Sequence, residues 1–450
     1  MKAEKSAADY YAGGLAHLKN GNNKKAVSDF NQALTLNPRY AEAYANRGAA
    51  YAGNGNYDQA FADFNQALTL NPRYAEAYAN RGTLYADQGN YEQAVTDYSE
   101  ALKFDPDNPG IYTSRSTVYS KMKEFGKAVA DGAEAVKLRP EDPNCYVNCG
   151  IIYAMKQDYE NALANFDQAV KLSPKSAHIR YVHGFANYCK GDYDKAIEDI
   201  TEAVALYPHN ADAYNRRGNA YAMKGDCDKA IEDYDKAIRL NPNFAEAYYN
   251  RGNAHARNGN YERAVMDHTK AIRMGPNFPD AYYNRGNTYY AQGDYDKALA
   301  DYTQTIVMDP RYAEAYYKRG NTRYARGDYE QAAEDFTQAI RLNPDDAELY
   351  YARGNAYGQS GNPGQAAADF TQAIALNPGY AEAYCKRGIA CFDQGNAEQA
   401  AADFTQAIAL NPGYAEAYSK RGDVYALNGN YDQALVDYTE ALMPLSGFML

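Results

Sequence analysis

The chain has 450 residues, with 58 Asp and Glu against 46 Lys and Arg, for a net charge of −12. That balance argues against nucleic acid and anionic membrane as partners, since both call for a basic stripe. No stretch is long and apolar enough for a transmembrane helix. The opening MKAEKSAADYY lacks the apolar core of a secretory signal, so a cytoplasmic location is expected.

After a lead-in over 1–6, one unit of 34 residues recurs thirteen times from Ala7 to Phe448 without insertion or deletion. A fixed period of that length marks a repeat architecture. The boundaries expected are the lead-in 1–6, a repeat solenoid over 7–442 with an irregular last copy, and an apolar tail over 443–450. Each copy predicts two short helices, A and B. In the copy at 279–312, Tyr282, Gly286 and Tyr289 lie on one helical face. Gly293-Asp294 breaks the pattern, with Asp294 placed to cap helix B. In helix B, Ala298, Tyr302 and Thr305 repeat the stripe, and Pro310 ends the copy. Glycine stands at position 8 of twelve copies and alanine at position 20 of all thirteen. Glycine inside a helix costs about 1 kcal/mol against alanine, so its recurrence implies that helices A and B touch there with no room for a side chain.

These residues resemble the tetratricopeptide repeat family. Its pattern is an aromatic at 4, a large apolar residue at 7, Gly or Ala at 8, Tyr at 11, Ala at 20, an aromatic at 24, Ala at 27 and Pro at 32. Position 4 is Tyr in twelve copies (Arg180 is the exception), position 27 is Ala in all but Thr305, and position 32 is Pro in all but the last. The resemblance covers almost the whole chain. It implies an all-α fold, a right-handed α-solenoid superhelix of thirteen helix-turn-helix repeats, with a concave face lined by positions 2, 5, 6, 9 and 12–13 of helix A. It also implies a non-catalytic protein-protein interaction scaffold. One departure is systematic: position 7 is Arg in ten copies.

Catalysis has no evident seat. There is no glycine-rich phosphate loop, no GxSxG and no metal-ligand constellation, so no enzyme activity, cofactor or metal is expected. Cys145 and Cys149 lie one helical turn apart, but no CxxC accompanies them. His17, His255 and His268 stand at aromatic core positions, while His178 and His183 flank Arg180 in the most divergent copy.

The partner expected is a protein or peptide segment, neutral to basic, bound in extended form over residues 211–357. The candidate groove residues are Asn215, Asn219, Tyr249, Asn250, Asn253, Tyr283, Asn284, Asn287, Tyr317, Lys318, Asn321, Tyr351 and Asn355. Asparagine fills position 9 of five successive copies there, and its amide both donates and accepts, as a peptide backbone requires. The family's clamp on a partner's C-terminal carboxylates is not expected, because position 5 is never basic and position 2 is usually acidic. Recent duplication accounts for the same ladder, and 30–48 and 64–82 are identical. A monomer is expected. The alternatives are a structural repeat protein that self-assembles through the tail MPLSGFML, or a substrate-recruiting arm of an enzyme acting in trans. Deletion of 444–450 separates a capping tail, whose loss promotes association, from an adhesive one.

Asp stands at position 23 of twelve copies, Asn165 being the exception, and a half-buried Arg at position 7 needs such a partner. Two pairings fit. Arg285 meets Asp301 within its own copy, or Asp267 across the junction with the preceding one. The junction version is preferred, because it explains Gly13 in a first copy that nothing precedes.

Overall fold

The computed structural model describes residues 5–442, so the tail over 443–450 lies outside the described residues. Within them are twenty-six helices and no strand, from Ala7–Lys19 to Tyr431–Leu442. Helices alternate as A and B, and each packs on its neighbours in sequence from Ala7–Lys19 to Ala211–Met223 and again from Cys227–Leu240 to Tyr431–Leu442. The fold is all-α, an α-solenoid. The helices group into two compact units, one up to Gly225 and the other from Asp226 onward.

The turns follow from local chemistry. Asp294 caps helix Tyr295–Met308, its carboxylate accepting from the Lys297 N–H at 3.2 Å. Gly293 takes φ +77, in the left-handed region that favours glycine. The fourth and fifth copies place Lys123 (φ 61) and Gln157 (φ 64) at the same turn position.

The glycine at position 8 has the reason the sequence suggests. A Cβ on Gly286 would lie 2.8 Å from the Tyr302 ring, and one on Gly320 2.7 Å from Phe336. The side chain at position 24 of helix B, a ring in eleven copies and Ile200 in the sixth, presses directly on the backbone of helix A. The one exception confirms the mechanism, since Ser116 occupies position 8 in the copy whose position 24 is Gly132. Alanine at position 20 is buried in every copy from Ala26 to Ala400, and Ala434 is 3 % exposed.

The arginine ladder is real, but its main pairing is the opposite of the one preferred from sequence. Arg285 Nε and Nη2 donate to both Asp301 oxygens at 2.8 and 2.7 Å, within one copy. The same fork joins Arg47–Asp63, Arg81–Asp97 and Arg115–Asp131 in the first unit. It recurs from Arg251–Asp267 to Arg421–Asp437 in the second. A planar guanidinium matches a carboxylate in two parallel bonds, and the i,i+16 spacing places them face to face. The junction is crossed instead by Nη1, which reaches position 25 of the preceding copy: Arg285 to Thr269 at 2.9 Å, Arg81 to Asn65 at 2.6 Å. Position 4 and 11 tyrosines flank the guanidinium, Tyr282 and Tyr289 lying 5.5 and 6.0 Å from Arg285. Those tyrosines are half-buried cation–π partners, not interior core.

In the sixth copy the staple is rebuilt from other groups. His183 Nδ1 lies 2.9 Å from Asp199 and its Nε2 3.4 Å from Asp167 of the preceding copy. Arg180 Nη1 reaches Asp199 at 3.2 Å, and Asn187 donates to it at 3.1 Å. His183 and Arg180 therefore have a structural duty. His268 is fully buried at position 24, and His255 is 6 % exposed at position 11. All six cysteines are free thiols.

Candidate functional site: the helix A face of the second unit

Side chains at positions 5, 6 and 9 of helix A share one face because they stand about one turn apart. In the second unit this face carries Tyr249, Asn250, Asn253, Tyr283, Asn284, Asn287, Tyr317, Lys318, Asn321, Tyr351 and Asn355, all half-buried. Asn215 and Asn219 belong to the first unit; Asn215 is 0 % exposed and offers no surface to a partner, while Asn219 is half-buried.

The four tyrosines are cement as much as surface. Each ring packs against the ring at position 24 of its own copy, with centroids 5.8 to 6.0 Å apart from Tyr249–His268 to Tyr351–Phe370. Three also pack on the aromatic at position 34: Tyr249 on Phe278, Tyr283 on Tyr312, Tyr351 on Tyr380. Two of their hydroxyls reach the next copy. Tyr249 Oη accepts from Asn284 Nδ2 at 2.7 Å, and Tyr317 Oη donates to Glu348 at 3.3 Å. Burial pushes all four phenols up.

The asparagine ladder is not uniform, and the residue at position 24 decides which rungs also bond a buried ring. Tyr302 Oη donates to Asn287 Oδ1 at 2.9 Å, and His268 Nε2 lies 3.0 Å from Asn253 Oδ1. Those two amides satisfy polar atoms of buried rings. Burial, and then the Arg285 charge, push the His268 imidazole down to about 4, so it is neutral at physiological pH. Asn321 and Asn355 stand over Phe336 and Phe370, which have no polar atom to offer. Their amides hydrogen-bond Tyr317 and Tyr351 one turn earlier, as Asn253 and Asn287 bond Tyr249 and Tyr283, but keep the further capacity that Asn253 and Asn287 spend on the floor.

Two cavities open on this face at equivalent places. One of 430 Å³ lies between the copies at 245–278 and 279–312, lined by Tyr249, Asn253, His268, Asn284 and Asn287. The other, of 460 Å³, lies between the copies at 347–380 and 381–414, lined by Tyr351, Asn355, Phe370, Lys386 and Ile389. Acidic residues at position 2 edge the face: Asp280 accepts from Tyr312 at 2.8 Å, and Glu416 from Lys386 at 2.8 Å. Lys318 Nζ lies 5.9 Å from the Tyr317 ring centre. Among the described residues no cluster of three or more His, Cys, Asp or Glu could hold a metal ion. No described helix is long and apolar enough to cross a membrane.

Sequence profiles described as TPR repeat match residues 14–55, 186–225, 218–259, 257–293 and 320–361. Profiles described as tetratricopeptide repeat match 41–74, 75–108, 143–176, 279–312, 351–413 and 385–446. The chain belongs to the tetratricopeptide repeat family, and the fold defines a protein-interaction scaffold. Comparison with curated proteins finds no match. Among solved structures, a tetratricopeptide repeat protein from Parabacteroides merdae is 24% identical over 55% of this chain and 98% of its own, with a TM-score of 0.46. YrrB, described as a TPR protein with an unusual peptide-binding site, is 25% identical over 42% of this chain and 97% of its own, with a TM-score of 0.38. MamA is 30% identical over 35% of this chain and 92% of its own, with a TM-score of 0.34.

Sequence reasoning missed three parts of this face: the position 34 rings, the position 2 carboxylates as hydroxyl acceptors, and Lys386 with its Glu416 partner. The first had a legible signal, because Phe278, Tyr312 and Tyr380 recur at the end of copies whose position 5 is tyrosine.

Proposed function

We propose that the helix A face of the second unit holds an extended peptide segment of a partner protein and catalyses no reaction on it. The observation that carries this reading is the pair Asn321 and Asn355, whose amides face apolar rings and keep capacity for a backbone carbonyl and N–H. Half-buried tyrosines beside them supply apolar area with a polar tip, a composition favoured at recognition surfaces. The acidic row at position 2 suits a neutral to basic segment, and the net charge of −12 speaks against nucleic acid or anionic lipid. The region concerned narrows from 211–357 to the copies around Asn321 and Asn355, because Asn215 is interior and Asn253 and Asn287 are engaged.

The test is selection of short peptides from a random display library against the full chain, followed by titration of the best binders. Asn321→Ala/Asn355→Ala should weaken them about tenfold or more, as loss of two amide contacts of about 1 kcal/mol each requires. Unchanged affinity would remove the reading. A control on the outer surface, Met266→Ala (71 % exposed on helix B), should leave binding intact.

A further inference from the structure

We propose that the 460 Å³ cavity between the copies at 347–380 and 381–414 is a socket for one apolar side chain of the bound segment, flanked on that segment by a basic residue. This deepens the groove reading and rests on it. The cavity owes its depth to Gly358, which stands at position 12 where the two preceding copies have Tyr290 and Tyr324. A Cβ on Gly358 would meet only Ala366, at 3.9 Å, so the space above it is open.

The interior of the socket is apolar and its rim is polar. Phe370, 3 % exposed, forms the floor, and Tyr324, Tyr351 and Ile389 form the walls. Ile389 stands at position 9, where the preceding copies have asparagine, so the wall turns apolar just past Asn321 and Asn355. Asn355 sits at the rim, one turn from Tyr351, where it can hold the backbone of a segment whose side chain points down.

Charge on the rim selects the neighbour of that side chain. Lys386 Nζ is bonded to Glu416 at 2.8 Å, which neutralises the one cation lining the cavity. Asp393 lines the same rim, is exposed, and has no cation within ion-pair distance among the described residues. An uncompensated carboxylate beside an apolar socket favours a segment with Lys or Arg two residues from its apolar anchor, on the same face of an extended chain, and disfavours an acidic one. The cavity holds a leucine or phenylalanine side chain with room for water, whereas alanine leaves it unfilled.

The experiment uses fluorescence anisotropy on the full chain with synthetic Gly/Ser-framed peptides. These carry Ala, Leu or Phe at one position and Lys or Glu at the next but one. The Leu and Phe peptides should bind roughly tenfold or more tighter than the Ala peptide, and the Lys series tighter than the Glu series. Gly358→Leu fills the socket while improving an exposed helical position, so the variant should fold and the Leu-over-Ala gap should vanish. Asp393→Asn should remove the Lys-over-Glu preference and leave the Leu-over-Ala gap. Equal binding of Ala and Leu peptides, or a gap that survives Gly358→Leu, overturns the socket. If that happens while binding still falls in Asn321→Ala/Asn355→Ala, the groove stands without it. No binding by any peptide at about 1 mM, where even weak complexes form, overturns both.

Discussion

A glycine and a ring set the distance between helices A and B. Gly320→Ser places a side chain within 2.7 Å of the Phe336 ring, so the ring or the helix must move. Overpacking of this kind costs about 1–3 kcal/mol, and thermal melting should show it in full. Ser116→Gly, opposite Gly132, relieves no clash and instead removes a buried hydroxyl that accepts from Asn148 at 2.7 Å, so it should cost about 1–2 kcal/mol. The arginine fork is the second residue-scale device. Arg285 and Asp301 side chains are 16 % and 8 % exposed, so removal of one strands a largely desolvated charge. A double-mutant cycle should find coupling of about 1–3 kcal/mol between Arg285 and Asp301, and additivity between Arg285 and Asp267 within about 0.5 kcal/mol. The reverse result would restore the junction pairing. His268 supplies a pH signature. Its folded-state value falls from the usual 6.5 to about 4 through burial, so the neutral form is the one the fold accepts. Stability from this group is complete above about 6.5 and is lost as pH falls from there to about 4, up to about 3 kcal/mol. Denaturant titrations across that window should show the slope, and His268→Tyr, which installs the ring of Tyr302 and can still donate to Asn253, should flatten it.

At the scale of single helices and turns, much of the structure was written in the sequence. Glycine at repeat position 15 and the capping Asp294 gave the turn. Glycine at repeat position 8, with alanine at repeat position 20, gave the contact, because each is a one-body steric demand. The pairing of Arg285 was harder to read. Position 7 faces both its own helix B and the preceding one, and spacing alone does not say which carboxylate lies closer. The structure resolves this by using both, a carboxylate within the copy and a hydroxyl or amide across the junction. The asparagine ladder was legible as a row but not as two kinds of rung, since that depends on whether the ring one helix away carries a polar atom. Asn287→Ala should cost about 1 kcal/mol, because the buried Tyr302 hydroxyl loses its acceptor, whereas Asn321→Ala should stay within about 0.5 kcal/mol. Lys123 and Gln157 hold left-handed turns without glycine, so Lys123→Gly and Gln157→Gly should each stabilise the first unit by about 1 kcal/mol in urea titrations.

For the whole molecule, one unit repeated in register makes stability nearly a sum of neighbouring contacts, and makes function a matter of which copies differ. The first unit puts its differences into structure, where the fifth and sixth copies replace the arginine staple with Cys149 and with His183 bridging Asp199 and Asp167. The second unit keeps every staple from Arg251 to Arg421 and sets asparagine at position 9 of four successive copies, Asn253 to Asn355, before Ile389 and Asp423. A regular frame with local variation on helix A is what a binding face needs. The most direct measurement of that claim is site-specific photocrosslinking. Benzoylphenylalanine in place of Ala325, on the exposed end of helix Ala313–Arg326, should trap a display-selected peptide. The same group in place of Met266, 71 % exposed on a helix B, should trap none. Equal trapping from both positions, or trapping from Met266 alone, would contradict a peptide-binding face built on helix A.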